Sequence, residues 1–330
     1  MKTVTLIPGD GIGPEIAEAV KTVFRGLKVP VTFEEVNAGK AVFEKEGTYL
    51  PDALFRSLEK NKVALKGPIT TPIGHGFRSL NVELRKKYDL YQNIRPIKPA
   101  ADLPVKFENV DMVLFRENTE DLYAGVEEVI SEDEAHSIKI ITREKSARIV
   151  RAAFDYAEAH HRRSVTVVTK ANIMKATDGL FLNVARKVAK DYALPMKEIL
   201  VDNMAMQMVM NPAQFDVIVT ENLYGDILSD LGAGLIGGLG MIPGMNKGED
   251  MAIYESVHGS APDIQGKGIA NPTAMLLSAC LMLDDLGEAD FARRIRGAIH
   301  DVLSNPATRT ADLGGNLRTD DYVRALIERW

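Results

Sequence analysis

The chain has 330 residues, of which 45% are hydrophobic and 26% are charged, proportions typical of a soluble globular protein with a substantial core. Lys and Arg number 40 against 46 Asp and Glu, and the net charge of −6 argues against a nucleic-acid partner or an anionic membrane surface. The single cysteine, Cys280, has no disulfide partner within the chain, which favours a reducing compartment. Because "MKTVTLIPGD" has the pattern of a strand and a turn rather than a signal peptide, we expect a cytoplasmic location.

The first third of the chain alternates strand and helix patterns. Strand "TVTLIP" precedes helix "PEIAEAVKTVF", and strand "VTFEEV" precedes a helix over 51–61 and the short strand "VALK". This alternation predicts a parallel sheet covered by helices. Glycines at 9, 11 and 13 follow the first strand, but Pro14 stands where the dinucleotide-binding G-x-G-x-x-G turn requires its third glycine. We therefore interpret this stretch as a tight turn of an α/β fold.

The rest of the chain predicts a second α/β unit and a helical tail. The unit contains strand "VDMVLFRE", a helix over 144–160, strand "SVTVVT", a helix over 175–190, and strands "EILVD" and "FDVIVTE". A β-rich excursion near 123–143 is expected to form an arm. The stretch "GDILSDLGAGLIGGLG" begins as a helix and becomes rich in glycine, which favours a close helix or subunit contact. The tail is predicted to be helical.

Three arginines adjoin predicted elements. Arg85 lies four residues after Asn81 on a helix that begins near Ser79, Arg95 lies on the next strand, and Arg116 ends an apolar strand. Arginine binds carboxylates and phosphates through two parallel hydrogen bonds. Together the three would suit a substrate with several negative charges. The alternative is that each pairs with a neighbouring acid at the surface.

A second group of residues would suit metal binding and proton transfer. Asp226 and Asp230 are four residues apart on a predicted helix and share a face, as an oxygen-coordinated Mg²⁺ requires. Asp202, at the end of strand "EILVD", would be a third ligand if the fold brings it close. Lys170 is predicted at a strand end, with Tyr123 as its candidate partner in acid–base chemistry. The alternative for the aspartates is a solvated helix face.

The glycine-rich stretch "ESVHGSAPDIQGKGIANP" contains His258 and Asp263. Asp263 would accept hydrogen bonds from a ribose diol and repel a 2′-phosphate, which favours NAD over NADP. The alternative is a surface Ω-loop without a ligand.

Five stretches occur in order, namely "IPGDGIGPE", "RSLNVELR", "RENTEDLYAG", "NLYGDILSD" and "VHGSAPDIQGKGIANP". With them the chain resembles the β-decarboxylating dehydrogenases, the family of isocitrate, 3-isopropylmalate and homoisocitrate dehydrogenases, from about residue 3 to about 315. The resemblance implies an α/β, isocitrate/isopropylmalate dehydrogenase-like fold with a non-Rossmann cofactor site on the "HGSAPDI" loop. It also implies a discontinuous large domain over 1–95 and 236–330. The small domain, over 96–235, would carry the dimer contact and the arm, with the site in the cleft between the domains.

The resemblance implies a role for each matching residue. Substrate-binding positions are Ser79, Asn81, Arg85, Arg95 and Arg116, and the proton-transfer pair is Tyr123 and Lys170. Metal ligands, for Mg²⁺ or Mn²⁺, are Asp202, Asp226 and Asp230. Cofactor-binding positions are Thr71, Asn81, His258, Gly259, Ser260, Ala261, Asp263, Ile264 and Asn271. In such homodimers the lysine and the first aspartate serve the neighbouring subunit's site.

The expected coenzyme and substrate follow from positions at which members of the family differ from one another. NADP-using isocitrate dehydrogenases typically carry Lys-Tyr where this chain has Asp263 and Ile264, which implies NAD. Isopropylmalate enzymes have leucines where this chain has Ser79 and Asn81, and Lys66 also matches isocitrate dehydrogenases, as do Thr70 and Thr71. The expected reaction is therefore the NAD- and Mg²⁺-dependent oxidative decarboxylation of isocitrate to 2-oxoglutarate and CO₂, a step of the tricarboxylic acid cycle. Alternatives are a homoisocitrate, 3-isopropylmalate or tartrate/malate dehydrogenase, or a regulatory subunit of a hetero-oligomeric isocitrate dehydrogenase.

Overall fold

The computed structural model describes residues 2–70 and 79–330. Within these ranges the strands are β1 (Lys2–Ile7), β2 (Val31–Glu35), β3 (Val63–Lys66), β4 (Gln92–Ile97), β5 (Met112–Glu117), β6 (Glu127–Val129), β7 (Ala135–Ser137), β8 (Val165–Thr169), β9 (Met196–Leu200), β10 (Val217–Thr220), β11 (Pro243–Lys247) and β12 (Ala252–Ser256). The α-helices are α1 (Gly13–Gly26), α2 (Lys40–Glu46), α3 (Asp52–Asn61), α4 (Leu80–Lys87), α5 (Arg143–Ala159), α6 (Thr177–Val188), α7 (Val201–Met210), α8 (Asn222–Leu235), α9 (Thr273–Asp285), α10 (Ala289–Ser304) and α11 (Thr319–Ile327).

A mixed ten-stranded sheet runs through the molecule in the order β2-β1-β3-β12-β11-β4-β5-β10-β8-β9. Both outer parts are parallel, since β1 pairs with β2 and β3, and β10 pairs with β5 and β8. The parallel sheet predicted for the first third is thereby confirmed. The centre is antiparallel, because β11 pairs in that sense with β12 and β4, and β4 with β5. This antiparallel centre was not predicted from the sequence. Because of it, the two parallel units lie side by side with opposite strand directions.

Helices cover both faces of the sheet at strand β5. The ring of Phe115 packs against Tyr156 of α5 at 5.2 Å between centroids. The next residue, Arg116, points to the opposite face, where its Nε donates to Asn222 of α8 at 2.9 Å. Cys280 of α9 is fully buried in the core. A strand that is buried on both faces has a continuous run of apolar residues, and the apolar run of β5 ends at Arg116.

The arm predicted near 123–143 is a β-hairpin. Strands β6 and β7 pair antiparallel in a two-stranded sheet separate from the main one. Its apolar side chains lie largely in solvent in the single chain, with Val129 78% exposed. None of the helices in the described ranges combines the length and the apolar character needed to cross a membrane.

Helix α7 corrects the predicted position of Asp202. Strand β9 ends at Leu200, and Asp202 is the second residue of α7 rather than the last residue of a strand. The sequence reasoning missed this helix because the apolar run "EILV" continues directly into the methionine-rich stretch "NMAMQMVM", whose composition does not separate a strand from a helix.

The glycine turn between β1 and α1 packs against two other segments of the chain. Gly11 has a φ of +61°, and a Cβ there would lie 1.8 Å from the Ser260 carbonyl oxygen. The Ile12 amide donates to that oxygen at 2.9 Å, and the Asp10 carboxylate accepts from the Thr70 amide at 2.8 Å. The tight-turn interpretation is therefore correct. The glycine admits the backbone of the "HGSAPDI" loop to close approach.

We expect Gly11→Ala to destabilise the protein much more than Gly47→Ala. Gly47 has a similar φ of +73°, but no described atom lies within 4 Å of the position that a methyl group would take there. Its replacement should cost only the left-handed backbone strain, about 1 kcal/mol. The clash at Gly11 adds to that strain and should bring the loss to about 3 kcal/mol or more. Urea unfolding of both variants measures the difference, and equal losses would contradict the close packing of the turn.

Candidate active site

A cavity of about 260 Å³ lies between the two parallel units, with walls from α4, β4, β5, α8 and β12. Of the residues predicted for the site, it brings together Ser79, Asn81, Arg85, Arg95, Arg116, Tyr123, Asp226, His258 and Gly259. The predicted cofactor residue Thr71 falls outside the described ranges. The three predicted arginines and Asp226 thus lie around one cavity in the fold.

Two of the arginines come from adjacent antiparallel strands. In the β4–β5 register Asn93 is opposite Arg116 and Arg95 is opposite Leu114, so both arginine side chains emerge on the same face. Both residues are buried, at 5% exposure for Arg95 and 1% for Arg116. Burial, followed by repulsion from Arg85, lowers the pKa of Arg116 to about 10, so it remains charged at neutral pH.

Helix α8 holds both guanidinium groups through its polar face. Arg116 donates to Asn222 at 2.9 Å and to Asp226, while Arg95 donates to Ser229 and lies 3.5 Å from an Asp230 oxygen. Gly225 makes this possible, because a Cβ at that position would lie 2.5 Å from the Arg116 Cγ atom. The "NLYGDILSD" motif therefore supplies the acids, the amide and the space in which the arginine lies.

Several buried polar atoms facing this cavity have no partner among the described residues. They are the donors Arg95 Nε and Arg116 Nη2, together with Asn81 Oδ1 and His258 Nε2. Such orphaned groups are costly in a folded protein unless a ligand or water completes them. The unsatisfied guanidinium donors indicate an anionic ligand.

The remaining cations of the cavity, Lys66 and Arg85, pair with a residue that the motifs did not identify. Glu255 of β12 lies 2.8 Å from Lys66 Nζ and 3.2 Å from Arg85 Nη2. A lone acid within the apolar strand "AIYES" was the available signal, because a buried carboxylate requires a charged partner.

Tyr123 lies on a short 3₁₀ turn after β5 and donates a hydrogen bond to Asp226 Oδ2 at 2.6 Å. Its ring also lies over Arg116, with 4.9 Å between the guanidinium carbon and the centroid. Burial raises the pKa of Tyr123, and the bond to the Asp226 carboxylate adds to the effect. The phenol therefore keeps its proton at neutral pH.

Lys170 and Asp202 lie elsewhere in the chain. They form an ion pair with each other at 2.7 Å, and neither belongs to the residues that line the cavity. Lys170 follows directly after β8, as predicted. A single chain thus brings nine of the predicted residues together around the cavity. Lys170 and Asp202 are not among them, nor are Asp230, Ser260, Ala261, Asp263, Ile264 and Asn271.

Asp226 and Asp230 share one face of α8, as their spacing predicted, and both are partly exposed, at 39% and 56%. Within the described ranges no third acid, histidine or cysteine joins them in a cluster able to hold a metal ion. Two carboxylates fit the protein share of a Mg²⁺ site, since this ion usually takes one or two carboxylates together with substrate oxygens and water.

The predicted cofactor segment follows β12. His258 Nδ1 lies 2.9 Å from the Gly259 carbonyl oxygen, and burial lowers the pKa of His258, so the imidazole is neutral at pH 7. Asp263 and Ile264 lie on a 3₁₀ turn capped by Ala261, which has a φ of +39°. Asn271 is buried and donates to Asp312, a partner that the motifs did not indicate, at 2.9 Å. Ser260 bonds to Thr70 through its hydroxyl at 2.8 Å.

Residues 3–326 match the protein family described as isocitrate/isopropylmalate dehydrogenase. The chain belongs to this family. It is 48% identical over 328 residues to isocitrate dehydrogenase (NAD) catalytic subunit 5, mitochondrial, of Arabidopsis thaliana, covering 99% of this chain and 88% of that protein. It is also 48% identical over 331 residues to a mitochondrial isocitrate dehydrogenase (NAD) regulatory subunit of Dictyostelium discoideum, covering 100% and 92%.

A solved isocitrate dehydrogenase has the same fold as this chain. The crystal structure of isocitrate dehydrogenase from Methylococcus capsulatus superposes with a TM-score of 0.96 at 50% identity, covering 100% of this chain and 99% of that one. The resemblance inferred from the five motifs and the predicted fold class are thus confirmed.

The expected cytoplasmic location is wrong by the same comparison, because both of these curated relatives are mitochondrial proteins. The expectation depended on one unpaired cysteine and on the strand-like first residues. A free thiol fits any reducing compartment, so it does not distinguish the cytosol from an organelle matrix.

Proposed function

We propose that this chain catalyses the oxidative decarboxylation of isocitrate to 2-oxoglutarate and CO₂, with NAD as the hydride acceptor. The observation that carries the proposal is the cavity lined by four buried cationic residues, of which Arg95 and Arg116 retain donors without partners among the described residues. A substrate with three carboxylates would satisfy these charges. The names of the two relatives, both NAD isocitrate dehydrogenase subunits, support the same acid and the same coenzyme.

The polar face of α4 favours isocitrate over isopropylmalate. Ser79 and Asn81 line the cavity, and Asn81 Oδ1 is buried without a partner among the described residues. An isopropyl group would leave such polar atoms unsatisfied, at about 1–3 kcal/mol for each. Homoisocitrate, one methylene longer, is the nearest alternative, because one methylene changes binding by only about 1–3 kcal/mol.

Asp226 and Asp230 are the proposed ligands of a Mg²⁺ or Mn²⁺ ion, and Asp202 from a second copy of the chain is the proposed third. When bound, the ion would act as a Lewis acid on the hydroxyl and carboxylate oxygens of the substrate. The partial exposure of both α8 carboxylates leaves room for that coordination.

His258 and Asp263 are the proposed contacts to the adenosine part of NAD. Since Nδ1 of the neutral imidazole donates to the Gly259 carbonyl, Nε2 is left as a buried acceptor for an amino group. The Asp263 carboxylate is exposed, has no partner among the described residues and would accept from ribose hydroxyls. Gly259, Ser260, Ala261, Ile264 and Asn271 are proposed to complete this part of the site.

Tyr123 and Lys170 are the proposed proton-transfer residues. Lys170 of a second copy, with an aspartate or a water molecule as relay, would remove the substrate's hydroxyl proton as the hydride passes from the same carbon to NAD⁺. After CO₂ departs, the protonated Tyr123 would donate to the carbon that carried the lost carboxylate. Its hydrogen bond to Asp226 holds the phenol at the edge of the cavity.

The proposed assembly is a homodimer in which Lys170 and Asp202 serve the neighbouring site. In support, this ion pair lies outside the cavity of its own chain. Apolar side chains on α7 and α8 are also exposed in the single chain, including Met206 at 49%, Met210 at 69% and Ile227 at 55%. Exposed apolar surface of this kind marks an interaction site.

The division into a large domain over 1–95 and 236–330 and a small domain over 96–235 remains part of the proposal. Its support is the path of the chain, which crosses at β4 into the strands β5, β10, β8 and β9 and returns at β11.

Turnover by the purified chain tests the proposed reaction. We expect NADH to form from isocitrate and NAD⁺ with Mg²⁺, 2-oxoglutarate to accumulate in equal amount, and activity to disappear with a chelator and return with added metal. A higher kcat/KM for homoisocitrate, 3-isopropylmalate, malate or tartrate would overturn the substrate, and a preference for NADP⁺ would overturn the coenzyme. An inactive chain that becomes active only with a different subunit would favour a regulatory role, as the name of the Dictyostelium relative suggests for that protein.

A further inference from the structure

Glu255 is the most deeply buried carboxylate at the proposed substrate cavity. It lies on β12 at 6% exposure, among buried residues of the same strand. A carboxylate removed from water to this extent is costly unless charges and hydrogen bonds compensate it. The groups that bind the Glu255 carboxylate therefore indicate what this residue does in the protein.

Both oxygens of Glu255 bind groups that belong to the cavity or support it. Oε2 lies 2.8 Å from Lys66 Nζ, while Oε1 accepts from Arg85 Nη2 at 3.2 Å and from Asn246 Nδ2 at 2.8 Å. Although burial opposes ionisation, the charges of Lys66 and Arg85 hold the pKa of Glu255 well below its ordinary value. The carboxylate is thus a fixed negative charge between two cavity cations.

A line of buried amides connects this carboxylate to the strands that carry the other arginines. Asn246 of β11 accepts at Oδ1 from Asn93 at 2.7 Å and from Asn118 at 3.0 Å. Asn93 stands opposite Arg116 in the β4–β5 register. The position of Glu255 is therefore set relative to both sides of the cavity.

Lys66 retains one donor for a ligand. Of the three N–H groups of its ammonium, one faces Glu255 and one donates to the Gly67 carbonyl at 3.0 Å. The third has no acceptor among the described residues. Without Glu255, Lys66 and Arg85 would face each other as buried like charges, and Lys66 would no longer be held.

We propose that Glu255 is a positioning residue that holds Lys66 and Arg85 as a pair of fixed cations toward the carboxylates of the substrate. In this role it acts on the substrate through the two cations. The inference rests on the proposed function for the identity of the acid.

The first test is Glu255→Gln, which keeps the shape and removes the charge. We expect KM for isocitrate to rise about 30-fold or more and kcat to change much less, because the loss is one of substrate binding. KM for NAD⁺ should change less than about threefold, because the two cations are proposed to face the substrate carboxylates. Glu255→Asp, which keeps the charge, should recover part of the loss. Glu198→Gln, which removes an acid from a surface pair with Arg186, is the matched control and should behave as wild type.

A double-mutant cycle separates positioning from general destabilisation. In the Lys66→Met background, Glu255→Gln should raise KM for isocitrate by a much smaller factor than in the wild type, because the held ammonium is already absent. The double variant also removes the repulsion between Lys66 and Arg85 and leaves the glutamine oxygen to accept from Arg85, so it should fold even if Glu255→Gln alone does not. Circular dichroism and thermal unfolding verify the fold of each variant.

The outcomes distinguish this inference from the proposed reaction. If Glu255→Gln folds and leaves KM for isocitrate unchanged, or if its effect is equally large in the Lys66→Met background, the positioning role is wrong while isocitrate turnover by the wild type still stands. If the wild type prefers another 2-hydroxy acid, the reaction is wrong, and the same cycle run on that acid still decides the role of Glu255.

Discussion

A Lys170→Met chain mixed with an Asp226→Asn chain, each nearly inactive alone, is expected to recover about one quarter of the wild-type activity after subunit exchange. If Lys170 serves the neighbouring site, only the mixed dimer contains a site with both residues intact. Random pairing puts about half of the chains in mixed dimers, and one of their two sites is complete. Each single variant should lose a factor of about 10²–10⁴ in kcat, the usual contribution of a proton-transfer group or of a metal ligand.

A second mixture serves as the control for this experiment. Lys170 and Asp202 form one ion pair and are proposed to serve the same neighbouring site, so Lys170→Met mixed with Asp202→Asn should recover nothing. Both mixtures are prepared at the same total protein concentration, and light scattering checks that both contain dimers. Absence of recovery in the first mixture, with mixed dimers demonstrated by a tag on one chain, would place all site residues within one chain and overturn the proposed assembly.

Arg116→Lys is expected to lower kcat/KM for isocitrate about 100-fold. The guanidinium performs three tasks at once: Nε holds Asn222, Nη1 holds Asp226, and Nη2 has no partner among the described residues and remains for a substrate carboxylate. A lysine keeps the charge and lacks the planar fork, so it cannot replace these bonds together. Loss of a buried charged hydrogen bond costs about 3 kcal/mol, which corresponds to that factor.

The matched control is Arg186→Lys, since Arg186 also binds a carboxylate through two bonds, to Glu198 at 2.7 Å, but at the surface of the protein. Such exposed pairs contribute little, and its kcat/KM should stay within about twofold of the wild type. Initial rates at varied isocitrate give both values. An Arg116→Lys enzyme with wild-type kcat/KM would exclude the proposed contact.

Local pattern alone was sufficient for the helices and strands with strong periodicity and for residues related by helical spacing. Asp226 and Asp230 share a face of α8 because four residues make about one turn of any α-helix, whatever surrounds it. Lys170 follows β8 and Gly11 lies in a tight turn for similarly local reasons. The motifs also indicated the family, because each of them is a contiguous run of residues.

Local pattern failed where a segment's neighbours decide its structure. The strands β11 and β12 and the helix α7 were not predicted, since short runs such as "PGMNK" and "NMAMQMVM" have no period that favours one structure. Their structures depend on pairing with β4 or packing against α8, which the sequence does not display. The misplacement of Asp202 has the same origin.

Only the tertiary structure decided which of the predicted residues share one cavity. Arg95 and Arg116 converge because the antiparallel register of β4 and β5 puts them on one face, and a shift of one residue would have sent one of them to the other side. Glu255 is a functional candidate only because Lys66 and Arg85 meet it in the fold. From its sequence this protein could be assigned to its family and given a set of candidate residues. Register and long-range packing, which join residues far apart in the chain, determined how those residues are arranged.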